Sequence, residues 1–302
     1  MASVKSLCSL IGLLIFIGLG NFVQAWPTDE DTCSIEEPVR LQVVFCFDQS
    51  ATFRSFLQQF QSIAGRLTSA LENQFPGSEF GVTAFADYPS SEVPDESGTN
   101  YLRVDTNTSL NSTACYLFHQ SLTTDQNLFR QSTQVSGIIY TVTGGAENSL
   151  GAVMFTALDE RIRWNNGERD ANGVLVRKII VFVTDEFYSG LLNSPNPTRR
   201  PARGDGTDTC TNSLPPTIPV ITDVLQRKGV SVIGLYVPTT ERTIQQLFTH
   251  YGGLFGQIGV PYSAYELDIN NINTIPDNVL RGVRATTACI WADPPAYNTL
   301  GL

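Results

Sequence analysis

The sequence predicts an α/β fold built on a single doubly wound, mostly parallel sheet with helices on both faces, and three observations support this. Strand-like and helix-like segments alternate along the chain, an order typical of parallel sheets. The strand-like segments are nearly continuous apolar runs, as expected where helices cover both faces of a sheet. No internal repeat or domain boundary interrupts residues 39–285, so we expect one domain there.

The expected strands lie where apolar residues run almost without a break. In chain order they are Val39 to Phe47, Phe80 to Ala86, a central strand within Val174 to Thr184, Val230 to Val237, and a weak strand near Leu254–Val260.

The expected helices show apolar residues at three- and four-residue steps. In chain order they are Phe53 to Leu71, Leu122–Gln134, Glu147–Trp164, Ile218–Lys228, Thr240–Tyr251 and Ile269–Val283. Two long polar segments, residues 87–117 and 189–216, separate some of these elements, and loops of that length commonly carry function or lack regular structure.

The ends of the chain predict export. Residues 1–25 carry one cation, Lys5, followed by an apolar run that closes on small and medium residues ending at Ala25, the pattern of a secretory signal peptide. We expect a leader over residues 26–38, a tail over residues 286–302 without a membrane anchor, and a secreted product. Export would also make the sequons at Asn107 and Asn111 candidates for glycosylation.

Composition and motifs exclude several classes of function. A formal net charge of −10 argues against nucleic acid and against an anionic membrane surface as partners. The sequence contains no G-x-S-x-G, no C-x-x-C, no glycine-rich phosphate loop and no H-E-x-x-H. We therefore expect no enzyme, and we expect His119 and His250 to be ordinary surface or boundary residues.

Cysteine usage fits an oxidising compartment. Cys46 lies within an apolar run and is predicted to be a buried, unpaired thiol. Four other cysteines outside the signal peptide allow two disulfides in three connectivities. We favour Cys33–Cys289, which would join the two ends of the domain, together with Cys115–Cys210, which would join two surface loops.

Oxygen-bearing side chains follow two of the predicted strands and begin one helix. Asp48, Ser50 and Thr52 come directly after the first strand, Glu147 opens a helix, and Asp185 follows the central strand. Binding sites of open parallel sheets form beyond the carboxyl ends of the strands. An all-oxygen set suits Mg²⁺, with Ca²⁺ or Mn²⁺ as alternatives, and it can leave one position for an acidic group of a partner.

These residues also carry a resemblance to a known family. The Asp48-x-Ser50-x-Thr52 turn resembles the D-x-S-x-S metal motif of von Willebrand A domains, with Thr in place of the last Ser. Four further strings resemble the integrin β I-like domain in order and spacing: Phe80 to Pro89, Glu147 to Met154, Asp159 to Asn165 and Ile180 to Asp185. The resemblance covers roughly residues 38–285.

The resemblance implies roles for the candidate ligands. Ser50, Thr52 and Glu147 would bind the metal directly, and Asp48 and Asp185 would bind it through water. Residues 87–117 would correspond to the loop that sets ligand specificity. Cys115 and Cys210 would each be the retained member of one of the family's two local disulfides, which favours a bond between them.

The departures from the family pattern concern its other metal sites. Ser55 and Phe56 stand where the family has the two acidic residues of its regulatory site. The third site keeps Asp87 but has Val142 and Gly144 at its other two positions. The resemblance therefore implies one adhesion metal, without the stalk regions of an integrin β subunit.

Together these observations predict a secreted adhesion module that binds an acidic group of an extracellular protein through a divalent cation. An integrin α-like subunit or an integrin is a further candidate partner. The alternative is a metal-independent extracellular matrix protein, or a soluble integrin ligand or decoy. Such a protein would use its surface loops or Arg203-Gly204-Asp205, the tripeptide that many integrins bind.

Overall fold

Six strands form the central sheet of the computed structural model, which describes residues 38–49, 53–85, 102–103, 116–133, 141–142, 146–188, 200–201, 203–205, 213–268 and 271–288. They are β1 (Val39–Asp48), β2 (Glu79–Phe85), β3 (Leu117–Thr123), β4 (Leu175–Thr184), β5 (Val230–Tyr236) and β6 (Tyr262–Glu266). The order across the sheet is β6-β5-β4-β1-β2-β3. All neighbours are parallel except β2 and β3. The predicted doubly wound, mostly parallel sheet is confirmed, and the order of its strands reverses between β1 and β4.

The described residues form six α-helices, of which five lie between strands of the sheet and the sixth follows β6. They are α1 (Arg54–Gln74), α2 (Gln126–Ser132), α3 (Ser149–Leu158), α4 (Ile218–Lys228), α5 (Ile244–Ile258) and α6 (Ile275–Ala288). Two 3₁₀ helices cover Glu160–Ile162 and Ile272–Thr274. Three pairs of two-residue strands lie outside the sheet: Leu102–Arg103 with Thr141–Val142, Ala146–Glu147 with Phe187–Tyr188, and Arg200–Pro201 with Ser213–Leu214.

The central strands send alternate residues to two separate cores, because side chains of a strand point to opposite faces in turn. Phe45 and Phe47 of β1 pack in a core with apolar residues of α1, α2 and α6. Cys46 of β1 and Phe182 of β4 pack on the opposite face with α3, α4 and α5. Helices therefore cover both faces of the sheet, as the continuous apolar runs predicted.

Cys46 is confirmed as a buried free thiol. Burial raises the pKa of this thiol to about 12, although Thr83 and Thr156 hydrogen-bond to it. The cysteines expected to form disulfides, Cys33, Cys115, Cys210 and Cys289, lie outside the described residues, as do the sequons at Asn107 and Asn111 and the predicted signal peptide. Within the part of the chain that the structure describes, no helix is both long enough and apolar enough to cross a membrane.

The second half of the chain differs from the sequence prediction around α5. The strand expected near Leu254–Val260 is wrong, because α5 continues to Ile258 and the edge strand follows at Tyr262–Glu266. Thr243 caps the start of this helix, and its side chain and that of Gln246 form a reciprocal capping box. Buried Tyr251 and Phe255 keep the helical register across the intervening glycines.

Other helices also begin or end elsewhere than expected: α1 extends to Gln74, and α6 begins at Ile275 and not near Ile269. The helix predicted over Leu122–Gln134 begins only at Gln126, because residues up to Thr123 form β3 and Asp125 caps the helix through its side chain. The helix predicted to reach Trp164 ends at Leu158. Asp159 leaves the helical conformation, and its carboxylate accepts the backbone N–H of Arg161 to start a 3₁₀ turn.

Candidate functional site

Two predicted ligands lie at the carboxyl edge of the sheet, where the strand order reverses. β1 ends at Asp48 and β4 at Thr184, and these residues directly follow the last registered pair of the two strands, Phe47 with Val183. The Thr184 hydroxyl donates a hydrogen bond to Asp48 Oδ2 at 3.1 Å. Asp185 directly follows Thr184 in the chain. Asp48 and Asp185 are both buried, with 0% and 2% of their surface exposed. Two carboxylates from distant parts of the sequence therefore share one buried edge.

A third predicted ligand, Glu147, is placed at the same edge by backbone pairing. The two-residue strand Ala146–Glu147 runs parallel to Phe187–Tyr188, with Glu147 opposite Tyr188. The backbone of Glu147 therefore lies beside the segment that directly follows Asp185. The side chain of Glu147 and all of Ser50 and Thr52 lie outside what the structure describes.

The chemistry of this edge fits a hard divalent cation. Carboxylate and hydroxyl oxygens are the donors that Mg²⁺ and Ca²⁺ prefer, and two buried carboxylates at one edge are favoured by a nearby positive charge. Among the described side chains, no group of three or more His, Cys, Asp or Glu residues is arranged to hold a metal ion. A complete site would therefore need the hydroxyls of Ser50 and Thr52 and the carboxylate of Glu147.

An ion pair and an aromatic ring fix the segment after Asp185 on one side. The Glu186 carboxylate lies 3.3 Å from the guanidinium of Arg242, and that guanidinium lies 4.6 Å from the centre of the Phe187 ring. Partial burial raises the pKa of Glu186, while the charge of Arg242 acts in the opposite direction. Arg242 thus contacts two consecutive residues that follow a predicted ligand.

Helix α5 fixes the same segment through two further side chains. His250 Nε2 accepts the backbone N–H of Tyr188 at 3.1 Å, and its ring lies 4.6 Å from that of Phe187. The Tyr251 hydroxyl donates to the backbone carbonyl of Glu186 at 2.8 Å. Partial burial lowers the pKa of His250, in keeping with a neutral ring that accepts a hydrogen bond.

On the other side of the edge, Gln49 continues the chain beyond Asp48. Its backbone N–H donates to the carbonyl of Phe85 at 2.7 Å, which extends the pairing of β1 with β2 by one residue. Its side-chain amide nitrogen lies 3.4 Å from Nε2 of His119 on β3. Burial lowers the pKa of His119 to about 4, so this ring is neutral at physiological pH.

Several of these contacts could not be inferred from the sequence. His119 and His250, expected to be ordinary surface or boundary residues, are half-buried and lie on opposite sides of the predicted site. Glu186 and Phe187 could have been singled out, because they directly follow a predicted ligand. Arg242 and Tyr251 carry no such signal, since only the packing of α5 brings them to this edge.

The tripeptide Arg203-Gly204-Asp205 packs against α4. Gly204 is buried with φ +73°, and a Cβ there would lie 2.7 Å from a methyl group of Val224. Its carbonyl accepts a hydrogen bond from Arg227 at 3.2 Å. The exposed side chains of Arg203 and Asp205 form an ion pair with each other at 3.1 Å. Gly204 therefore packs against α4, whereas the side chains of Arg203 and Asp205 are exposed.

Comparisons with known proteins identify no family. No protein-family model and no curated protein matches the chain. Among solved structures it is similar to proximal thread matrix protein 1 (PTMP1) from the mussel byssus, with 12% identity and a TM-score of 0.46 over 85% of this chain and 48% of that one. It is also similar to the conserved hypothetical protein BatB from Bacteroides thetaiotaomicron, with 12% identity and a TM-score of 0.41 over 81% and 99%. The chain thus spans about half the length of the mussel protein.

Proposed function

We propose that this chain is a secreted adhesion module of the von Willebrand A type, similar to the integrin β I-like domain, that captures an acidic group of an extracellular protein through a divalent cation. The observation that carries the proposal is that Asp48 and Asp185 are buried at the carboxyl ends of neighbouring strands, with the backbone of Glu147 paired to the segment after Asp185. This is the edge at which open parallel sheets bind their ligands.

The cation would be held by residues of three segments. Ser50, Thr52 and Glu147 are proposed as direct ligands of Mg²⁺, and Asp48 and Asp185 as ligands through water. When bound, the cation would offer one coordination position to a carboxylate of the partner. Both aspartates are buried, Asp48 at the end of β1 and Asp185 directly after β4, so the two paired strands fix their positions.

Calorimetric titration of the exported chain with Mg²⁺ and Mn²⁺ tests the proposal. We expect binding at millimolar metal or below. The affinity should fall about 10–100-fold in Asp48→Asn, because a side chain that binds the cation through water then carries no charge. Asp223→Asn is the matched control, since Asp223 is an exposed acid on α4 paired with Arg227. Absence of binding by the unaltered chain, or equal binding by both variants, would contradict the proposal.

The partner is tested separately by recovery from extracellular material with and without EDTA. We expect a recovered protein whose retention is lost in EDTA and restored by added Mg²⁺, because the partner's carboxylate would bind the cation itself. Retention that survives EDTA and is lost in Asp205→Glu would instead favour the metal-independent alternative.

The geometry of the tripeptide gives that alternative less support. Gly204 is buried against α4, and the charges of Arg203 and Asp205 are directed to each other. A receptor that needs both charges would first have to separate this pair.

A further inference from the structure

The hydroxyl of Tyr251 connects the two segments that carry Glu147 and Asp185. It donates to the backbone carbonyl of Glu186, the residue after Asp185, at 2.8 Å. It also lies 2.7 Å from Oγ of Ser149, the first residue of α3 and two positions after Glu147. Because a phenol has one proton to donate, the Ser149 hydroxyl is the donor in the second bond. One buried oxygen thus bridges both ligand-bearing segments.

The ring of Tyr251 cannot move without disturbing the core. Tyr251 is fully buried on α5, with its ring stacked on that of Tyr236 at 4.8 Å between centres and edge-on to that of Phe182 at 5.2 Å. Such contacts fix the position of the hydroxyl relative to the sheet. The two hydrogen bonds of Tyr251 therefore hold the segments that carry Glu147 and Asp185 at fixed positions relative to α5.

From this arrangement we propose that Tyr251 is a positioning residue for the cation site, and that it sets the site's preference for Mg²⁺ over Ca²⁺. The inference rests on the proposed function. Mg²⁺ demands nearly ideal octahedral geometry at 2.0–2.1 Å, whereas Ca²⁺ accepts variable geometry with longer bonds. A change that loosens the spacing between Glu147 and Asp185 will therefore weaken Mg²⁺ binding more than Ca²⁺ binding.

The test compares Tyr251→Phe with Tyr236→Phe by calorimetric titration of each full chain with Mg²⁺ and with Ca²⁺. Both substitutions remove one hydroxyl from fully buried, mutually stacked rings. The Tyr236 hydroxyl, however, bonds to that of Tyr262 on the edge strand and not to a ligand-bearing segment. We expect Tyr251→Phe to weaken Mg²⁺ binding about tenfold and Ca²⁺ binding about threefold at most, with Tyr236→Phe unchanged in both.

Ser149→Ala is a second variant that leaves the Tyr251–Glu186 bond in place. It should lower the ratio of Mg²⁺ to Ca²⁺ affinity in the same direction and by a smaller factor. In thermal unfolding without metal, Tyr251→Phe should lose more stability than Tyr236→Phe, because the Tyr251 hydroxyl makes two hydrogen bonds and the Tyr236 hydroxyl one. Only Tyr251→Phe should also gain less stability from saturating Mg²⁺ than the unaltered chain does.

The outcomes separate this inference from the function on which it rests. If the unaltered chain binds neither cation, the proposed function fails and the inference with it. If the unaltered chain binds Mg²⁺ but Tyr251→Phe and Ser149→Ala keep its affinity and its selectivity, only the positioning role is overturned. Equal weakening of both cations in Tyr251→Phe would also overturn the claim about selectivity.

Discussion

Helix α5 carries two adjacent glycines, Gly252 and Gly253, whose replacement by alanine should stabilise the protein. Both are exposed in the helix interior, and a Cβ built at either position meets no atom within 4 Å. Alanine is favoured over glycine inside a helix by about 1 kcal/mol, because the unfolded chain loses less conformational freedom. Each substitution should therefore add about 0.5–1 kcal/mol to the free energy of unfolding.

Gly229 supplies the control for this prediction. A Cβ there would also meet nothing within 4 Å, but the residue ends α4 in the left-handed conformation with φ +61°. Alanine is disfavoured in that conformation by roughly 1–2 kcal/mol. The two sites differ in backbone conformation and not in available space, so Gly229→Ala should destabilise while Gly252→Ala stabilises.

Urea unfolding followed by far-ultraviolet circular dichroism measures both effects. Thermal unfolding is a second measurement. In a protein of this size a change of about 1 kcal/mol should shift the thermal midpoint by about 2–4 °C, upward for Gly252→Ala and downward for Gly229→Ala. Unchanged m-values would assign the effect to stability and not to the compactness of the unfolded state. A destabilised Gly252→Ala, or a Gly229→Ala as stable as the unaltered protein, would refute the reasoning.

Three further predictions concern buried polar groups. The Thr83 and Thr156 hydroxyls are fully buried and 2.9 Å apart, so Thr156→Val should cost about 1–3 kcal/mol in urea unfolding, with part of the loss recovered in the double valine variant. Because burial lowers the pKa of His119 from 6.5 to about 4, the unfolded chain binds more protons between these values. Stability should thus fall by at most about 3 kcal/mol as the pH drops through that range, and less in His119→Gln. Cys46, with its pKa raised to about 12, should resist a thiol reagent in the native protein and react once the protein unfolds in guanidinium. If the chain is exported and its four other cysteines are paired, Cys46 should be its single reactive thiol.

The elements predicted best from the sequence are those whose signal is local. The helix over Ile218–Lys228 was predicted with its observed bounds, since Pro219 lies in its first turn and Gly229 ends it in the left-handed conformation. The strands β1 and β4 were recognised because both of their faces are buried, so their apolar runs are continuous.

The elements predicted worst are those whose character depends on distant partners. β3 is partly exposed, pairs with β2 through irregular register shifts, and has no continuous apolar run. Residues 254–258 have the apolar content of a short strand, yet they complete a helix that starts at a capping box more than ten residues earlier. Short apolar runs do not distinguish a strand from a buried helical segment.

The sequence by itself determined the doubly wound sheet and the edge at which Asp48 and Asp185 lie, because strand patterning and chain direction fix where parallel strands end. Only the tertiary structure decided what surrounds that edge. Ser149 and Glu186 lie 102 and 65 residues from Tyr251, and no local pattern relates them. Their hydrogen bonds form because the packing of α5 on the sheet brings the Tyr251 hydroxyl between them. The contacts of the Tyr251 ring with Phe182 and Tyr236 fix that position.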